Sequence, residues 1–274
     1  MRTLLEILKL STDFLKQKGI ANPRRQAEDL ISDALGIKRM DLYTDFERPL
    51  SDPEVDDLRS RLARRAKGEP NPYIHGKVEF LGCHFFVDRS VLIPRQETEL
   101  LADRIAQEVQ PHEHLWDLCC GSGCIGIAVK KKRPDLKVTL SDLSPEALVL
   151  ARRNAALNGV DVELVEGDFV EPLRGREIDV LVCNPPYISE LEYALLDPEV
   201  RNFEPRMALL AGTTGLEFYQ RLAPTLSSFM KPGGKVWLEI GAEQGPSVQA
   251  IFGNRGKIIQ DWAGKDRFFH AFFS

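Results

Sequence analysis

Four consecutive residues in the second half of the chain, Asn184, Pro185, Pro186 and Tyr187, have the groups needed to hold a planar amine. They follow the apolar, β-branched run 178–183, which predicts a buried strand of a parallel sheet. Neither proline can donate an N–H, and Pro186 favours extended geometry at Pro185. We therefore expect fixed carbonyl oxygens just beyond the carboxyl end of the strand, the edge where open α/β sheets bind their ligands.

These groups suit the alkylation of a planar NH2 group, whose delocalised lone pair makes it a poor nucleophile. The Asn184 side-chain oxygen and the Pro185 carbonyl could accept both N–H hydrogens, turn the lone pair towards an electrophile and stabilise the developing positive charge. Tyr187 offers an aromatic face that could clamp the group. We predict that Asn184, Pro185 and Tyr187 are catalytic and that these three and Pro186 bind the substrate. The alternative is a loop that only turns the chain.

A predicted strand at 115–120 leads into a glycine-containing turn that could face a ligand. Gly121 and Gly123 would let the backbone approach a bound molecule closely. Asp117, within the strand, could meet a positively charged amino group. A glycine turn of this kind also occurs in dinucleotide-binding folds. The chain shows no hydride-transfer machinery further on, however, whereas 184–187 suits alkyl transfer, so we favour a methyl donor over a nicotinamide dinucleotide.

Two further strand ends carry residues that match an adenosine. Asp142 closes the predicted strand 137–142, where an acid can bind ribose hydroxyls. Asp168 and Phe169 follow the strand 162–165 and offer an acceptor for an adenine amine and a flat apolar partner for its ring. S-adenosylmethionine combines an adenosine, a charged amino acid tail and a methyl group on a sulfonium, without phosphate. We predict this cofactor, with S-adenosylhomocysteine as the product.

Composition limits the remaining classes of function. The chain has 274 residues, 43% hydrophobic and 28% charged, with a net charge of −5 and five cysteines. An odd cysteine count argues against a disulfide framework and predicts a cytoplasmic protein. The negative charge argues against a nucleic-acid partner, and no run is long enough to cross a membrane. Because the cysteines show no zinc-ligand spacing, we predict no metal and read them as small buried apolar residues.

The order of patterns predicts three regions. Helical periodicity and capping residues over 1–70 indicate an N-terminal helical domain, which we expect to have little core of its own. Residues 71–93 form a proline-rich linker with a β-hairpin. Residues 94–274 alternate strands and helices, the pattern of a Rossmann-like, doubly wound α/β sheet. One of its helices is predicted over 215–229.

The turn 117–125 and the motif 184–187 together resemble class I methyltransferases that modify planar amines. The upstream segments 73–76 and 94–99 and the helical N-terminal region narrow this resemblance to the release factor glutamine methyltransferases. The family implies the seven-stranded S-adenosylmethionine-dependent methyltransferase fold. It also implies methylation of the glutamine side-chain amide in the Gly-Gly-Gln motif of bacterial class 1 peptide chain release factors. These release factors would be the protein's partners, and the family suggests that the N-terminal helical domain 1–70 binds this substrate protein.

The residues and the resemblance together give a donor-binding set. Where the family pattern has a glycine, this chain has Cys119, for which we expect an ordinary backbone conformation. The predicted donor-binding residues are Asp117, Cys119, Cys120, Gly121, Ser122, Gly123, Asp142, Leu143, Asp168, Phe169 and Asn184.

Two other functions fit the same residues. A nucleic-acid methyltransferase acting on N6 of adenine or N2 of guanine would present an equivalent planar amine from a flipped base. A non-catalytic protein could also use the fold as a binding scaffold. The acidic charge and the absence of an apparent target-recognition domain argue against the first. The presence of both Asp142 and Asn184 argues against the second. We expect a monomer.

Overall fold

The chain forms two compact units. The computed structural model describes residues 2–273. The first position of the predicted range 1–70 and the last position of the predicted range 94–274 therefore lie outside the described residues. The first unit comprises the chain up to Gly76 together with Pro198–Phe203. The second comprises Lys77–Asp197 and the chain from Glu204 onwards.

Helices and strands have the following bounds. The α-helices are α1 (Leu4–Gln17), α2 (Pro23–Ala34), α3 (Asp52–Ala66), α4 (Asn71–His75), α5 (Gln96–Glu108), α6 (Cys124–Lys132), α7 (Pro145–Asn158), α8 (Glu190–Leu195), α9 (Pro198–Phe203), α10 (Glu217–Leu222) and α11 (Gly245–Ile251). The strands are β1 (Lys77–Phe80), β2 (Cys83–Phe86), β3 (His114–Leu118), β4 (Lys137–Asp142), β5 (Glu163–Glu166), β6 (Ile178–Cys183), β7 (Ile188–Ser189), β8 (Leu210–Gly212), β9 (Met230–Glu239), β10 (Lys257–Gln260) and β11 (Asp266–Phe272). Short 3-10 helices span Arg39–Tyr43, Glu171–Leu173, Arg206–Ala208 and Ala223–Ser228.

The first unit has a hydrophobic core of its own, which corrects the expectation that its helices are too short to build one. Leu15, Leu30 and Ile31 are completely buried and belong to one apolar cluster. The amphipathic pattern of α1 and α2 gives each helix a continuous apolar stripe that faces this cluster. At the start of α3, the Ser51 N–H donates to Glu54 Oε2 over 2.8 Å, as the predicted capping box requires.

The segment predicted as a linker, 71–93, is divided between the two units. Pro72 lies in the first turn of the short helix α4, where a missing N–H leaves no bond unmade. Ile74 of this helix joins the core of the first unit, and Arg64 Nη2 donates to the Tyr73 carbonyl over 3.0 Å. The hairpin of β1 and β2 belongs to the second unit.

The second unit is built on a seven-stranded sheet with the order β10-β11-β9-β6-β3-β4-β5. Its central strands are parallel, and β11 runs antiparallel to both β9 and β10. The strand order reverses between β3 and β6, since β4 lies on one side of β3 and β6 on the other. In open α/β sheets such a switch point opens a crevice at the carboxyl ends of the strands.

Strand β6 is buried on both faces, as its apolar sequence predicts. Val180 and Val182 pack in one hydrophobic cluster, whereas Leu181 and Cys183 pack in the other. All four side chains are completely buried. Because successive residues of a strand point to opposite faces, this alternation puts a helix-covered core on each side of the sheet. The layered arrangement predicted from the sequence is confirmed.

The prediction of one helix over 215–229 is wrong for the second half of that range. The α-helix α10 ends at Leu222, and Ala223–Ser228 continues as a 3-10 helix. Pro224 has no N–H to complete the α-helical hydrogen-bond ladder, so the chain tightens at this point. Among residues 2–273, no helix combines the length and the apolar character needed to cross a bilayer.

Candidate active site

A cavity of about 410 Å³ opens at the carboxyl ends of the central strands of the second unit. Its wall includes the turns that follow β3, β4 and β5 and the first residues after β6. The sheet topology accounts for this position, because the cavity lies at the switch point between β3 and β6. The sequence-predicted residues on its wall are Cys119, Cys120, Gly121, Ser122, Asp142, Leu143, Asp168, Phe169, Asn184 and Pro186.

The two glycines of the turn after β3, Gly121 and Gly123, lack a side chain for different structural reasons. Gly121 lines the cavity with φ +53, and a Cβ built on it would meet no atom within 4 Å. Its bare backbone therefore leaves room on the cavity side. Gly123, with φ +77, is not part of the cavity wall. A Cβ there would lie 2.8 Å from Ile127 Cδ1 and 3.0 Å from Leu140 Cδ1, so this glycine is required by packing.

The expectation of an ordinary backbone at Cys119 is wrong, because this residue has φ +59. The left-handed region is unfavourable for a side chain with a Cβ, by about 1–2 kcal/mol. Two hydrogen bonds immediately after it fix the turn: the Cys120 N–H donates to the Ser141 carbonyl over 3.0 Å, and the Gly121 N–H donates to Asp142 Oδ2 over 2.8 Å. Tertiary contacts thus impose the conformation that a glycine would adopt without strain.

Asp142 joins two turns through one carboxylate. Its Oδ2 accepts from the Gly121 N–H, and its Oδ1 accepts from the Ser144 N–H over 2.9 Å. Burial raises the pKa of this carboxyl above its ordinary value, although the backbone hydrogen bonds oppose the shift. The carboxylate lines the cavity beside Leu143, whose side chain is 53% exposed. A bound diol could therefore reach an acid whose orientation is already set.

Asp117 lies behind the wall of the cavity rather than on it. It is 1% exposed, and its Oδ2 accepts from the Gly126 N–H over 2.9 Å. Its Oδ1 is buried without a hydrogen-bond partner among the residues described. Burial, with a smaller contribution from the nearby Asp142 carboxylate, raises the pKa of Asp117 to about 7. Asp117 Oδ1 can therefore still accept a hydrogen bond from a donor that the described residues do not supply.

The turn after β5 brings Asp168 and Phe169 to the cavity, as predicted. Phe169 has φ +50 and is only 3% exposed. Two residues of α10 that the sequence analysis did not identify contact this turn. The Phe218 ring packs edge-on against Phe169 with centroids 5.0 Å apart, and Arg221 Nη2 lies 3.3 Å from both carboxylate oxygens of Asp168. No local sequence signal marks either residue.

The motif after β6 is split between the cavity wall and the interior. Asn184 and Pro186 line the cavity, whereas Pro185 and Tyr187 do not. The Asn184 side chain makes no hydrogen bond to any residue in the described range 2–273. Burial raises the pKa of Tyr187 above its ordinary value, and the Tyr187 carbonyl accepts from Gln244 Nε2 over 2.8 Å. Of the four residues predicted to bind the substrate, two therefore line the cavity.

Buried polar residues outside the predicted set support the cavity. Asn154, completely buried, donates from Nδ2 to the Ser122 carbonyl over 2.9 Å and accepts from the Phe86 N–H over 2.7 Å. It thereby ties the β1–β2 hairpin to the turn after β3. Glu204 accepts from the Ile93 N–H over 3.1 Å and from Arg95 Nη2 over 2.5 Å. The hairpin predicted as a linker is thus part of the site's support.

The described cysteines around the cavity are not arranged as metal ligands. Within residues 2–273, no group of three or more potential ligands is arranged to hold a metal ion. Cys120, Cys124 and Cys183 are buried, and burial raises the pKa of each thiol above its ordinary value. Neutral thiols of this kind pack as small apolar side chains.

Two family models match the chain. The methyltransferase small domain matches residues 95–197. The PrmC N-terminal domain matches residues 6–76. Among solved structures, a methyltransferase from Pyrococcus furiosus superimposes with a TM-score of 0.53 at 18% identity, over 79% of this chain and 98% of that one. At this identity the likeness supports the class I methyltransferase fold and no more.

Curated relatives match almost the full length. A release factor glutamine methyltransferase of Chlamydia trachomatis serovar L2 is 45% identical over 96% of this chain and 92% of its own length. One from Geobacter sulfurreducens is 40% identical over 97% of this chain and 95% of its own length. Since identity at this level extends over the helical N-terminal region as well as the methyltransferase region, the chain belongs to the release factor glutamine methyltransferase family.

Proposed function

We propose that the protein transfers a methyl group from S-adenosylmethionine to the side-chain amide nitrogen of the glutamine in the Gly-Gly-Gln motif of bacterial class 1 peptide chain release factors. Membership of the family supports the substrate. The observation that carries the chemistry is the position of Asn184, whose side chain lines the same cavity as the glycine turn and Asp142.

The cavity fits the proposed donor. Its volume of about 410 Å³ lies within the range of roughly 300–1,000 Å³ that is typical of small-molecule sites. Asp142 would accept from the ribose hydroxyls, since each carboxylate oxygen has acceptor capacity beyond its one backbone donor. Phe169 and Leu143 supply apolar surface for the adenine, and the missing side chain at Gly121 leaves space for close approach. The orphaned Asp117 oxygen would face the positive end of the amino acid tail from behind the turn.

When bound, the donor supplies a methyl group activated by a sulfonium. The protein's own contribution is to orient the acceptor amide. Asn184 Oδ1, on the cavity wall, would accept one amide hydrogen. The second acceptor that we propose is the carbonyl of Pro185, although Pro185 is not part of that wall, and the two bonds would turn the nitrogen lone pair towards the methyl group. The same two oxygens would stabilise positive charge as it develops on nitrogen. Tyr187 and Pro186 would restrict the plane of the amide. A strong base is not required before transfer, because the N–H becomes acidic only after alkylation.

Mass spectrometry of a release factor incubated with the protein and the donor tests this function. We expect one added methyl group, located on the glutamine of the Gly-Gly-Gln motif. A release factor in which asparagine replaces that glutamine serves as the control and should remain unmodified. Methylation of DNA or RNA at an exocyclic amine under the same conditions, with no change in the release factor, would instead identify a nucleic-acid methyltransferase.

We infer further that the protein acts as a monomer on a protein partner in the cytoplasm, without binding nucleic acid directly. The net charge of −5 favours a protein partner over a polyanion. Sedimentation of the purified chain with and without a release factor measures both the oligomeric state and the stoichiometry of the complex. A self-associating chain would contradict the first part of this proposal.

A further inference from the structure

Four side chains form a cluster on one side of the cavity, which we call the Arg221 cluster: Asp168, Phe169, Phe218 and Arg221. Phe218 and Arg221 lie three residues apart on α10, so they share one face of that helix. Asp168 and Phe169 come from the turn after β5. Helix and turn are distant in sequence, and the cluster exists only because the fold brings them together.

Arg221 contacts each of the other three members of the cluster. Its Nη2 lies 3.3 Å from each carboxylate oxygen of Asp168. Its guanidinium carbon lies 5.1 Å from the centroid of the Phe169 ring and 5.8 Å from that of Phe218, both within the range of a cation–π interaction. The two rings meet edge to face at 89°. One guanidinium thus restrains both residues of the turn.

Stability of the fold does not account for this arrangement. The side chains of Arg221 and Asp168 are each 50% exposed, and ion pairs between exposed groups contribute little to folding free energy. The restrained turn is, however, strained at Phe169, which has φ +50. Non-glycine residues persist in this region only where surrounding contacts hold them, and such residues cluster at functional sites. Both restrained residues line the cavity.

We infer that Arg221 is a positioning residue for the adenine of the methyl donor: it holds the Asp168 carboxylate and the Phe169 ring where they receive the base. The inference rests on the proposed function and names the residue that sets the donor's base subsite. Asp168 accepts a hydrogen from the exocyclic amine of adenine, and it can do so while paired with Arg221 because each carboxylate oxygen has two acceptor sites. The guanidinium neutralises the carboxylate and fixes its direction.

Calorimetric titration of S-adenosylhomocysteine into the wild type and three variants tests this role. Arg221→Ala should weaken binding about tenfold, the loss expected when a charge-assisted hydrogen bond is no longer oriented. Arg221→Lys keeps the charge and should recover part of the affinity. Gln220→Ala, an exposed substitution on the same helix, is the matched control and should bind as the wild type does.

A second ligand separates positioning from a general structural effect. S-inosylhomocysteine carries an oxygen in place of the exocyclic amine, so Asp168 has no hydrogen to accept from it. The wild type should bind this ligand about tenfold more weakly than S-adenosylhomocysteine. Arg221→Ala should weaken its binding much less than it weakens that of S-adenosylhomocysteine, because the two ligands share only the contact with the Phe169 ring. A variant that had merely loosened the unit would weaken both ligands equally. At saturating donor, kcat of Arg221→Ala should stay within about twofold of the wild type, because the amide site is untouched.

Each outcome decides the matter. Equal affinity of the wild type and Arg221→Ala for S-adenosylhomocysteine would overturn the inference, as would equal losses for both ligands. A wild type that binds neither S-adenosylmethionine nor S-adenosylhomocysteine would overturn the proposed function, and this inference with it. Selective loss for the amine-bearing ligand, partly recovered in Arg221→Lys, supports the role of Arg221.

Discussion

The two sides of the cavity differ in how far their polar groups are already satisfied. On the side that we propose binds the methyl donor, the donor side, Asp142 accepts from two backbone N–H groups, and the carbonyl of Ser122 accepts from the buried Asn154. On the side that we propose binds the acceptor amide, the acceptor side, the Asn184 side chain has no protein hydrogen-bond partner within the range that the structure covers. Both sides follow the carboxyl ends of neighbouring parallel strands, so their local setting is similar. The difference lies in what each side leaves available.

This contrast explains how one cavity could bind two ligands of different kinds. A donor that must bind in one orientation binds more tightly to a wall whose geometry is fixed in advance. An amide that must be activated needs acceptors with unused capacity, because interactions that strengthen only during the reaction accelerate it. Substitutions on the donor side should therefore change donor affinity or folding, and those on the acceptor side should change turnover.

The largest expected effect is on the acceptor side. Asn184→Ala should lower kcat by about a hundredfold or more, the range seen when one oriented group that stabilises transition-state charge is removed. Donor affinity should stay within about twofold, since the donor-side hydrogen bonds are intact. Methylation kinetics at saturating donor and calorimetry with S-adenosylhomocysteine measure the two quantities. Losses of equal size in both would remove the distinction between the two sides.

A pH experiment sharpens the description of the donor side. Burial raises the pKa of Asp117 from 3.8 to about 7, so between these values the folded protein retains a proton that the unfolded chain releases. Stability contributed by this group should fall as pH rises, by about 1.4 kcal/mol per pH unit, and level off above the folded pKa. Asp117→Asn cannot titrate. From pH 5 to pH 8 its free energy of unfolding should gain about 2–3 kcal/mol relative to the wild type.

Urea unfolding of both proteins at several pH values gives the required difference, in which the titration of every other group cancels. Parallel stability profiles for the wild type and Asp117→Asn would show that the buried acid is already ionised in the folded protein. The donor side would then hold an unpaired charge rather than a neutral acid.

Two glycine substitutions separate folding from ligand space within the donor side. Both Gly121→Ala and Gly123→Ala put a Cβ on a residue with positive φ, at φ +53 and φ +77. Gly123→Ala also drives the Cβ against Ile127 and Leu140, so it should destabilise the protein by about 2 kcal/mol. Gly121→Ala should lose only about 1 kcal/mol but bind the donor more weakly. Thermal unfolding should show the larger loss of stability in Gly123→Ala, and calorimetry should show the larger loss of donor affinity in Gly121→Ala. If one variant showed both larger losses, folding and ligand space would not be separate at these two glycines.

The smallest expected effect concerns Cys119. Cys119→Gly relieves a left-handed backbone and should raise the free energy of unfolding by up to about 1 kcal/mol, with donor affinity unchanged within about twofold. Cys120→Gly is the matched control, because Cys120 is buried and has no positive φ, and it should destabilise. Chemical denaturation of both variants measures the difference. Destabilisation by Cys119→Gly would mean that the thiol contributes more through packing than its backbone loses.

The parts of the fold predicted correctly are those encoded by local pattern. The β-branched run of β6 and the acid that ends β4 mark buried strands and a ligand-facing edge by themselves. Glu204 and Arg221 could not be found in this way, since Glu204 lies 111 residues from Ile93 and Arg221 lies 53 residues from Asp168. Contacts of that range depend on the assembled sheet and leave no periodic signal in the chain.

Two local predictions failed for different reasons, one because tertiary contacts were stronger than local preference and one because a proline interrupts the helix locally. Cys119 adopts a glycine-like conformation since the hydrogen bonds after it, from Cys120 to β4 and from Gly121 to Asp142, determine the path of the turn. The helix over 215–229 tightens at Pro224 although the apolar pattern continues through it. In the first unit, short helices share one core that no single helix could form, which summed local patterns do not reveal.

The single carboxylate of Asp142 has a consequence for any attempt to re-engineer this protein. Because it receives an N–H from the turns after two different strands, an amide in its place would offer one acceptor where two are needed and direct a hydrogen at the other N–H. The same pair of oxygens thus holds the scaffold and would form the proposed ribose subsite, so mutagenesis at this position should alter both together. New donor analogues are better accommodated by recasting Leu143, whose side chain borders the cavity and is half open to solvent.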